Sequence, residues 1–290
     1  MAYSRHQSFY IKNNWINKGI KAVVVNPKVF GSVSNYQSIG IGKNMFISVK
    51  YWLEALNIIK LDKDTAELTK FGTFILNNDL SCDLNITLNF LHFYLVHGKP
   101  QNGAEISSTF YWFFNKYQER IFRKKDLVDE LIKWDTLTYQ RNTSENTISR
   151  DIDCLLQTYT KADKLHPEDK NVSVLSKIHL VSKQRENFVK IPIKISMIDR
   201  DFFMYLLLFL VESNFNTSKF IDLNSLEAYD LSPGRIFNMS RIDIIEVLED
   251  MISRGYPIEI TRTNNLDTVL INSNISSDQF AANIFEKREI

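Results

Sequence analysis

His6 stands in the stretch Ser4-Arg5-His6-Gln7-Ser8-Phe9, with Lys12, Trp15 and Lys18 close behind it. A neutral imidazole can accept a proton near pH 7, and Arg5 and Lys12 supply charge that holds a phosphate. The stretch therefore reads as a proton-transfer group beside an anchored phosphate; a hydrogen-bonded surface histidine is the plainer reading. Asp151-Ile152-Asp153 has the letters of a two-carboxylate metal pair. On a helix, however, positions i and i+2 point about 200° apart, so the carboxylates diverge. His92 and His97 are five residues apart on an aromatic-rich segment, a poor spacing for one metal, and read as core or surface histidines. Asp62 and Asp64 flank a turn, where aspartate serves turn geometry. Asp199 and Asp201 dress the start of an apolar helix.

Gly40-Ile41-Gly42-Lys43-Asn44-Met45 has to be distinguished from a phosphate loop. A nucleotide loop needs G-x-x-x-x-G-K-[ST], so that backbone N–H groups ring the phosphates and a hydroxyl reaches magnesium. Here Gln37 occupies the first glycine position and Asn44 the hydroxyl position. The dinucleotide pattern fails as well, with Met45 where its third glycine belongs. The residues beyond Gly42 have the pattern of an amphipathic helix. Met45, Val49, Trp52, Leu53 and Leu56 fall at i, i+4, i+7, i+8 and i+11. Lys43, Asn44, Ser48 and Lys50 lie off that stripe toward its beginning, as in the second helix of a DNA-reading helix-turn-helix. Ile58 to Asp62 and the polar turn after it form a wing, and Thr69 caps a further helix.

Two more segments repeat this order. The helix at 122–132 is followed by one at 144–159, whose stripe is Ile148, Ile152, Leu155, Leu156 and Tyr159, with Asn146 and Arg150 in its opening turns. Further on, Ser240 caps a helix that Gly255 stops, and two β-rich runs flank Asn264-Asn265 as a hairpin. The expected fold is mainly α (α+β), with several winged-helix or helix-turn-helix modules carrying short β-hairpin wings. The polar stretch 161–172, which contains Pro167, reads as a linker. It separates a basic DNA-binding domain (1–165) from an acidic winged-helix-like domain (175–290).

The net charge of +1 hides an asymmetry. Residues 1–60 carry eight basic side chains against Glu54 alone, a net +7. Residues 201–290 carry seven basic and fourteen acidic side chains, a net −7. A basic front suits the phosphates of duplex DNA, and an acidic rear suits a protein neighbour or a second copy in a homodimer. Cys82 and Cys154, the only cysteines, have no CxxC spacing and fit a reducing cytoplasmic interior. No signal-peptide core opens the sequence. The longest apolar run, residues 202–211, is half the length of a membrane span, so no membrane role is expected.

The chain resembles the SspB-like family, a domain of unknown function found in bacterial DNA phosphorothioation clusters. The resemblance rests on Arg5-His6 with Ser8-Phe9, then Lys12, Trp15, Lys18-Gly19, the run from Gly40 to Met45 with Tyr51-Trp52, Leu68-Thr69 with Phe71-Gly72, the run from Tyr111 to Asn115, and Arg150-Asp151. It spans residues 4 to 280 and is strongest before 160. Lys12 stands where the family pattern has arginine. The resemblance implies a protein that nicks one DNA strand so that sulfur can replace a non-bridging phosphate oxygen, in a system of phage defence. A cysteine desulfurase, an adenylating sulfurtransferase and an ATPase would be its companions. Arg5, Lys12, Lys18 and Lys43 would then carry charge for the phosphate and His6 the proton. Magnesium or manganese would suit phosphodiester hydrolysis, although no ligand cluster stands out and the motif assigns no nuclease centre. The other reading is a non-catalytic DNA-binding scaffold or regulator that recruits the sulfur-transfer machinery.

Overall fold

Trp15, Ile16, Gly19, Ile20 and Val23 recur at helical spacing and bury one side of α1 (Asn13–Val25). The computed structural model describes residues 3–98, 106–160, 172–214, 219–263 and 266–287. The linker expected at 161–172 lies, apart from Val172, outside the described residues, as does the turn at Asn264-Asn265. Helix α1 seats on α2 (Lys43–Ala55) through Gly19, where a Cβ would stand 2.3 Å from Leu53 Cδ1. A 3-10 helix, Val33–Ile39, precedes α2. Strands β1 (Ile59–Asp62) and β2 (Thr65–Leu68) form an antiparallel hairpin after it, in register from Ile59–Leu68 to Asp62–Thr65. The Ala66 N–H donates to Pro27 O at 2.7 Å, fastening β2 to the chain that leaves α1. As the sequence predicts, Thr69 caps α3 (Lys70–Asn78), its hydroxyl accepting from Gly72 N–H at 2.9 Å.

The aromatic-rich stretch forms α4 (Asn85–His97) and α5 (Ser108–Asn115), both largely buried. Then come β3 (Ile121–Phe122), α6 (Lys124–Tyr139), α7 (Glu145–Tyr159), β4 (Val181–Gln184) and β5 (Asn187–Lys190). The three strands form an antiparallel sheet in the order β3-β5-β4. His92 is a core histidine, its Nδ1 2.8 Å from Tyr159 Oη and its ring edge-on to Phe114.

The remaining elements are α8 (Arg200–Asn214), β6 (Phe220–Asp222), α9 (Leu223–Ala228), α10 (Pro233–Ile236), α11 (Arg241–Ser253), β7 (Ile258–Thr263), β8 (Leu266–Ile271) and α12 (Ser277–Lys287). The long apolar run is buried in α8, and no helix among the described residues is long and apolar enough to cross a membrane. Ser240 and Asp243 form a reciprocal capping box at the start of α11, and Gly255 follows its end with φ +80°. The third sheet has the order β6-β8-β7.

The fold is mainly helical with small antiparallel sheets, and one connectivity occurs twice complete and once without its first strand. A helix leads to a short strand, then to further helical elements, then to a hairpin whose second strand pairs back with the first. The sheets β3-β5-β4 and β6-β8-β7 are both of this kind. In the first stretch the Pro27–Ala66 hydrogen bond stands in the place of the first strand. The chain divides into two compact units, Met1–Ile191 and Pro192–Ile290. The sequence places the boundary at 165–175; the hairpin at 181–190 belongs to the first unit because β5 pairs with β3.

Candidate nucleic-acid interface

The geometry at the start of α2 comes from its two glycines. Gly40 ends the 3-10 helix in the left-handed region, φ +66°, donating its N–H to Gln37 O at 3.1 Å. Gly42 is the N-cap of α2 and has no side chain to offer, so the first N–H groups of the helix receive no side-chain cap. The first turn holds no acidic residue. Lys43 and Asn44 are exposed and have no hydrogen-bond or ion-pair partner among the described residues. Uncapped N–H groups, the positive end of the helix dipole and a lysine therefore face solvent together, an arrangement that favours an anion.

Further along α2 the sequence expectations need correction. Ser48 is fully buried, and its Oγ has no hydrogen-bond partner, so it cannot contact DNA. Its small size lets it enter the packed side that its polarity argued against. Phe46 rather than Met45 opens the buried stripe. Lys50 is half-buried, and its Nζ donates to Phe30 O at 3.0 Å, so its ammonium is committed to backbone.

Two of the N-terminal candidates, Arg5 and Lys12, are held by other partners. Arg5 pairs with Glu54 of α2 at 2.8 Å, and its guanidinium lies 5.6 Å from the centre of the Tyr51 ring. Lys12 precedes α1 and lies over Trp15, 5.6 Å from the ring centre. Lys18 is exposed on α1, on the stripe Asn14, Lys18, Lys21 and Val25 that faces away from the core.

His6 is 1 % exposed, which overturns both sequence readings of it: it neither lies on the surface nor opens to a phosphate. Its Nδ1 accepts from Ser8 N–H at 3.1 Å, which leaves the proton on Nε2. Nε2 is 3.2 Å from Asp151 Oδ1 but is not aligned with it as a hydrogen bond. The ring sits against Tyr51 and Trp52, with centroids 5.9 and 6.4 Å away. Burial pushes the Tyr51 hydroxyl well above its ordinary value, and the Cys154 thiol likewise, so both stay protonated near neutral pH.

In the sequence Asp151 is legible only as half of a metal pair. It lies on the same helical face as Ile148 and Leu155, and a carboxylate on an apolar face is the signal of a buried partner. Oδ1 accepts from Ser4 N–H at 2.9 Å and Oδ2 from Thr109 Oγ1 at 3.2 Å. Asp153 turns outward to Lys124 at 2.8 Å, so the two carboxylates do diverge. No group of three or more His, Cys, Asp or Glu side chains among the described residues could hold a metal ion. Asp151 and Asp153 therefore do not converge on one divalent cation.

Helix α7 presents the second exposed set. Ser144 caps it, its Oγ accepting from Thr147 N–H at 3.3 Å. Asn146 and Arg150, one turn apart, are exposed and without partners among the described residues. Both side-chain types can make paired hydrogen bonds to base edges.

A family model described as "Protein of unknown function (DUF4007)" matches residues 3–287. Among solved structures, an SspB crystal structure matches with TM-score 0.84 at 19 % identity, covering 99 % of this chain and 90 % of that one. A magnesium ion-bound SspB crystal structure matches with TM-score 0.82 at 19 % identity, covering 99 % and 96 %. At that identity the likeness establishes a shared fold. No curated protein sequence matches the chain.

Proposed function

The chain belongs to the DUF4007 family, and we propose that it is the DNA-binding component of a bacterial DNA phosphorothioation system. In this reading each repeat of the connectivity is a winged-helix module, with α2, α7 and α11 at the position of the DNA-reading helix. One observation carries the DNA reading: α2 opens uncapped and without an acidic residue, with Lys43 and Asn44 unpartnered among the described residues beside its free N–H groups. Lys18 and the Asn146–Arg150 pair extend it. The phosphorothioation setting comes from the SspB-like fold and resemblance. A cysteine desulfurase, an adenylating sulfurtransferase and an ATPase would be its companions in the cytoplasm. The acidic second unit would meet one of them or a second copy of this chain.

Gel-shift titration on duplex DNA tests the reading. The parent protein is expected to bind with a steep salt dependence, and Lys43→Ala is expected to flatten the log–log slope by about 0.9 if one phosphate contact is lost. Absence of binding at low salt would remove the proposal.

Strand nicking is the second reading, favoured by the resemblance and by the magnesium ion bound to SspB in one similar structure. Incubation of supercoiled plasmid with the protein and Mg²⁺ or Mn²⁺ tests it. On this second reading relaxed circles are expected, and none under either metal leaves a non-catalytic scaffold. His6→Ala, in a folded protein, is expected to keep any nicking that DNA binding permits, because the buried ring cannot reach a phosphate.

A further inference from the structure

Three of the five residues from Ser4 to Ser8 occupy the left-handed backbone region without being glycine: Ser4 at φ 59°, Gln7 at 51° and Ser8 at 62°. Backbone of this kind persists only where its surroundings over-determine it. Here the surroundings are three helices of one unit. Tyr3 Oη donates to Asp135 of α6 at 2.9 Å. The Ser4 N–H donates to Asp151 of α7 at 2.9 Å. Arg5 pairs with Glu54 of α2. His6 packs on Tyr51 and Trp52 of α2 while its Nε2 faces Asp151 of α7. Phe9 O accepts from Trp52 Nε1 at 3.0 Å and from Cys154 Sγ at 3.5 Å, so one carbonyl takes donors from α2 and α7 together.

We propose that residues 3–9 form a positioning strap that fixes α2 relative to α7, with Arg5 and His6 as positioning residues rather than phosphate contacts. The purpose of the strap rests on the DNA-binding reading above; the strap itself does not. Lys43 and Asn44 on one helix and Asn146 and Arg150 on the other are then held at one fixed separation. Two patches on a rigid frame engage a ligand together, since the second contact is intramolecular once the first has formed. Loosening the frame turns them into two weak, independent patches.

The test places spin labels at Asn44→Cys and Asn146→Cys in the full chain and measures their distance distribution with and without His6→Ala. Both native cysteines are buried, so labelling falls on the introduced pair. A narrow distribution is expected in the parent and a broadened or shifted one in His6→Ala. An unchanged distribution in a folded variant overturns the strap. If His6→Ala does not fold, Tyr3→Phe combined with Arg5→Ala removes one hydroxyl and one half-exposed ion pair, and the same two outcomes decide. A second readout uses DNA. In the parent, the losses from Lys43→Ala and Arg150→Ala should depart by about three-fold or more from simple multiplication, as coupled sites do. In His6→Ala they should multiply; coupling that survives the variant overturns the proposal. If the parent binds no DNA, the DNA reading fails and the distance measurement still decides the strap.

Discussion

Helices α2 and α11 occupy the same place in two copies of one connectivity, yet their first turns are opposites. Helix α2 starts on Gly42, with no side-chain cap and no acid, and leaves Lys43 and Asn44 unpartnered among the described residues. Helix α11 starts on Ser240, whose Oγ accepts from Asp243 N–H while Asp243 reaches back to Ser240 N–H. Arg241 lies within 2.8 Å of Asn224 Oδ1, 3.4 Å of Glu227 and 3.3 Å of Asp267, and Ile242 stands 76 % exposed. The first helix end can still accept an anion; in the second, that capacity is taken up internally and the dipole is already answered by a carboxylate. Shared topology therefore does not carry a shared chemistry at the helix start. Three residues at a helix start are enough to separate a surface suited to phosphate from one suited to the protein contact proposed for the second unit.

The comparison can be broken at several points. The largest effect is expected where each unit's packing depends on a bare glycine. A Cβ on Gly72 would stand 2.1 Å from Ile58 O, and one on Gly234 2.4 Å from Glu227 O. Each Gly→Ala change should cost about 3 kcal/mol through forced backbone movement, read by urea denaturation with probes in each unit. Gly72→Ala should lower the first unit's transition and Gly234→Ala the second's. Equal effects of either change on both units would mean that the two do not melt separately.

Next comes an exchange of first turns. Met45→Asp places a carboxylate at the third residue of α2, as Asp243 does in α11. DNA affinity should fall about ten-fold through repulsion and loss of free N–H groups, and unchanged affinity would take α2 out of the interface. In α11, Asp243→Ala should cost about 1 kcal/mol of stability by opening the capping box, without altering any salt dependence of DNA binding. The smallest effect concerns acid. Arg200 first, and then Arg254, hold the Asp250 carboxyl below its usual range. A depressed folded-state value means that this contribution is complete above the ordinary aspartate value near pH 4 and is lost as pH falls through the lowered one. Asp250→Asn should therefore make the second unit's stability less steep below about pH 4, seen as a shallower acid transition in circular dichroism. An identical acid profile would show that these two pairs contribute nothing measurable.

How legible these features are in the sequence depends on the distance over which their causes act. The stripe Val49, Trp52, Leu53 and Leu56 needs only helical period, and the caps at Thr69 and Ser240 only a hydroxyl before an apolar run. The hairpin around residues 258–271 can be read from alternation. Ser48 misleads because polarity suggests exposure, whereas a small hydroxyl fits among large neighbours. Lys50 misleads because its charge is visible without its acceptor, Phe30 O, twenty residues away. His6 cannot be read at all: its neighbours are Trp52 and Asp151, and sequence spacing carries no trace of a contact across 145 positions. The sheet β3-β5-β4 is hidden for the same reason, since the two residues of β3 acquire their meaning only from a strand some 65 positions later.

Lys190 has a consequence for handling the protein. Its Nζ donates to Phe113 O at 2.7 Å and to Tyr117 O, and it lies 4.5 Å from the centre of the Phe113 ring, pinning the end of β5 beneath α5. The residue is only 7 % exposed, so dissolved ions do little to weaken these bonds, whereas the proposed contacts at Lys43 would be screened within about 10 Å at 0.1 M salt. A wash at high ionic strength should therefore strip nucleic acid from this unit while its second hairpin stays in place.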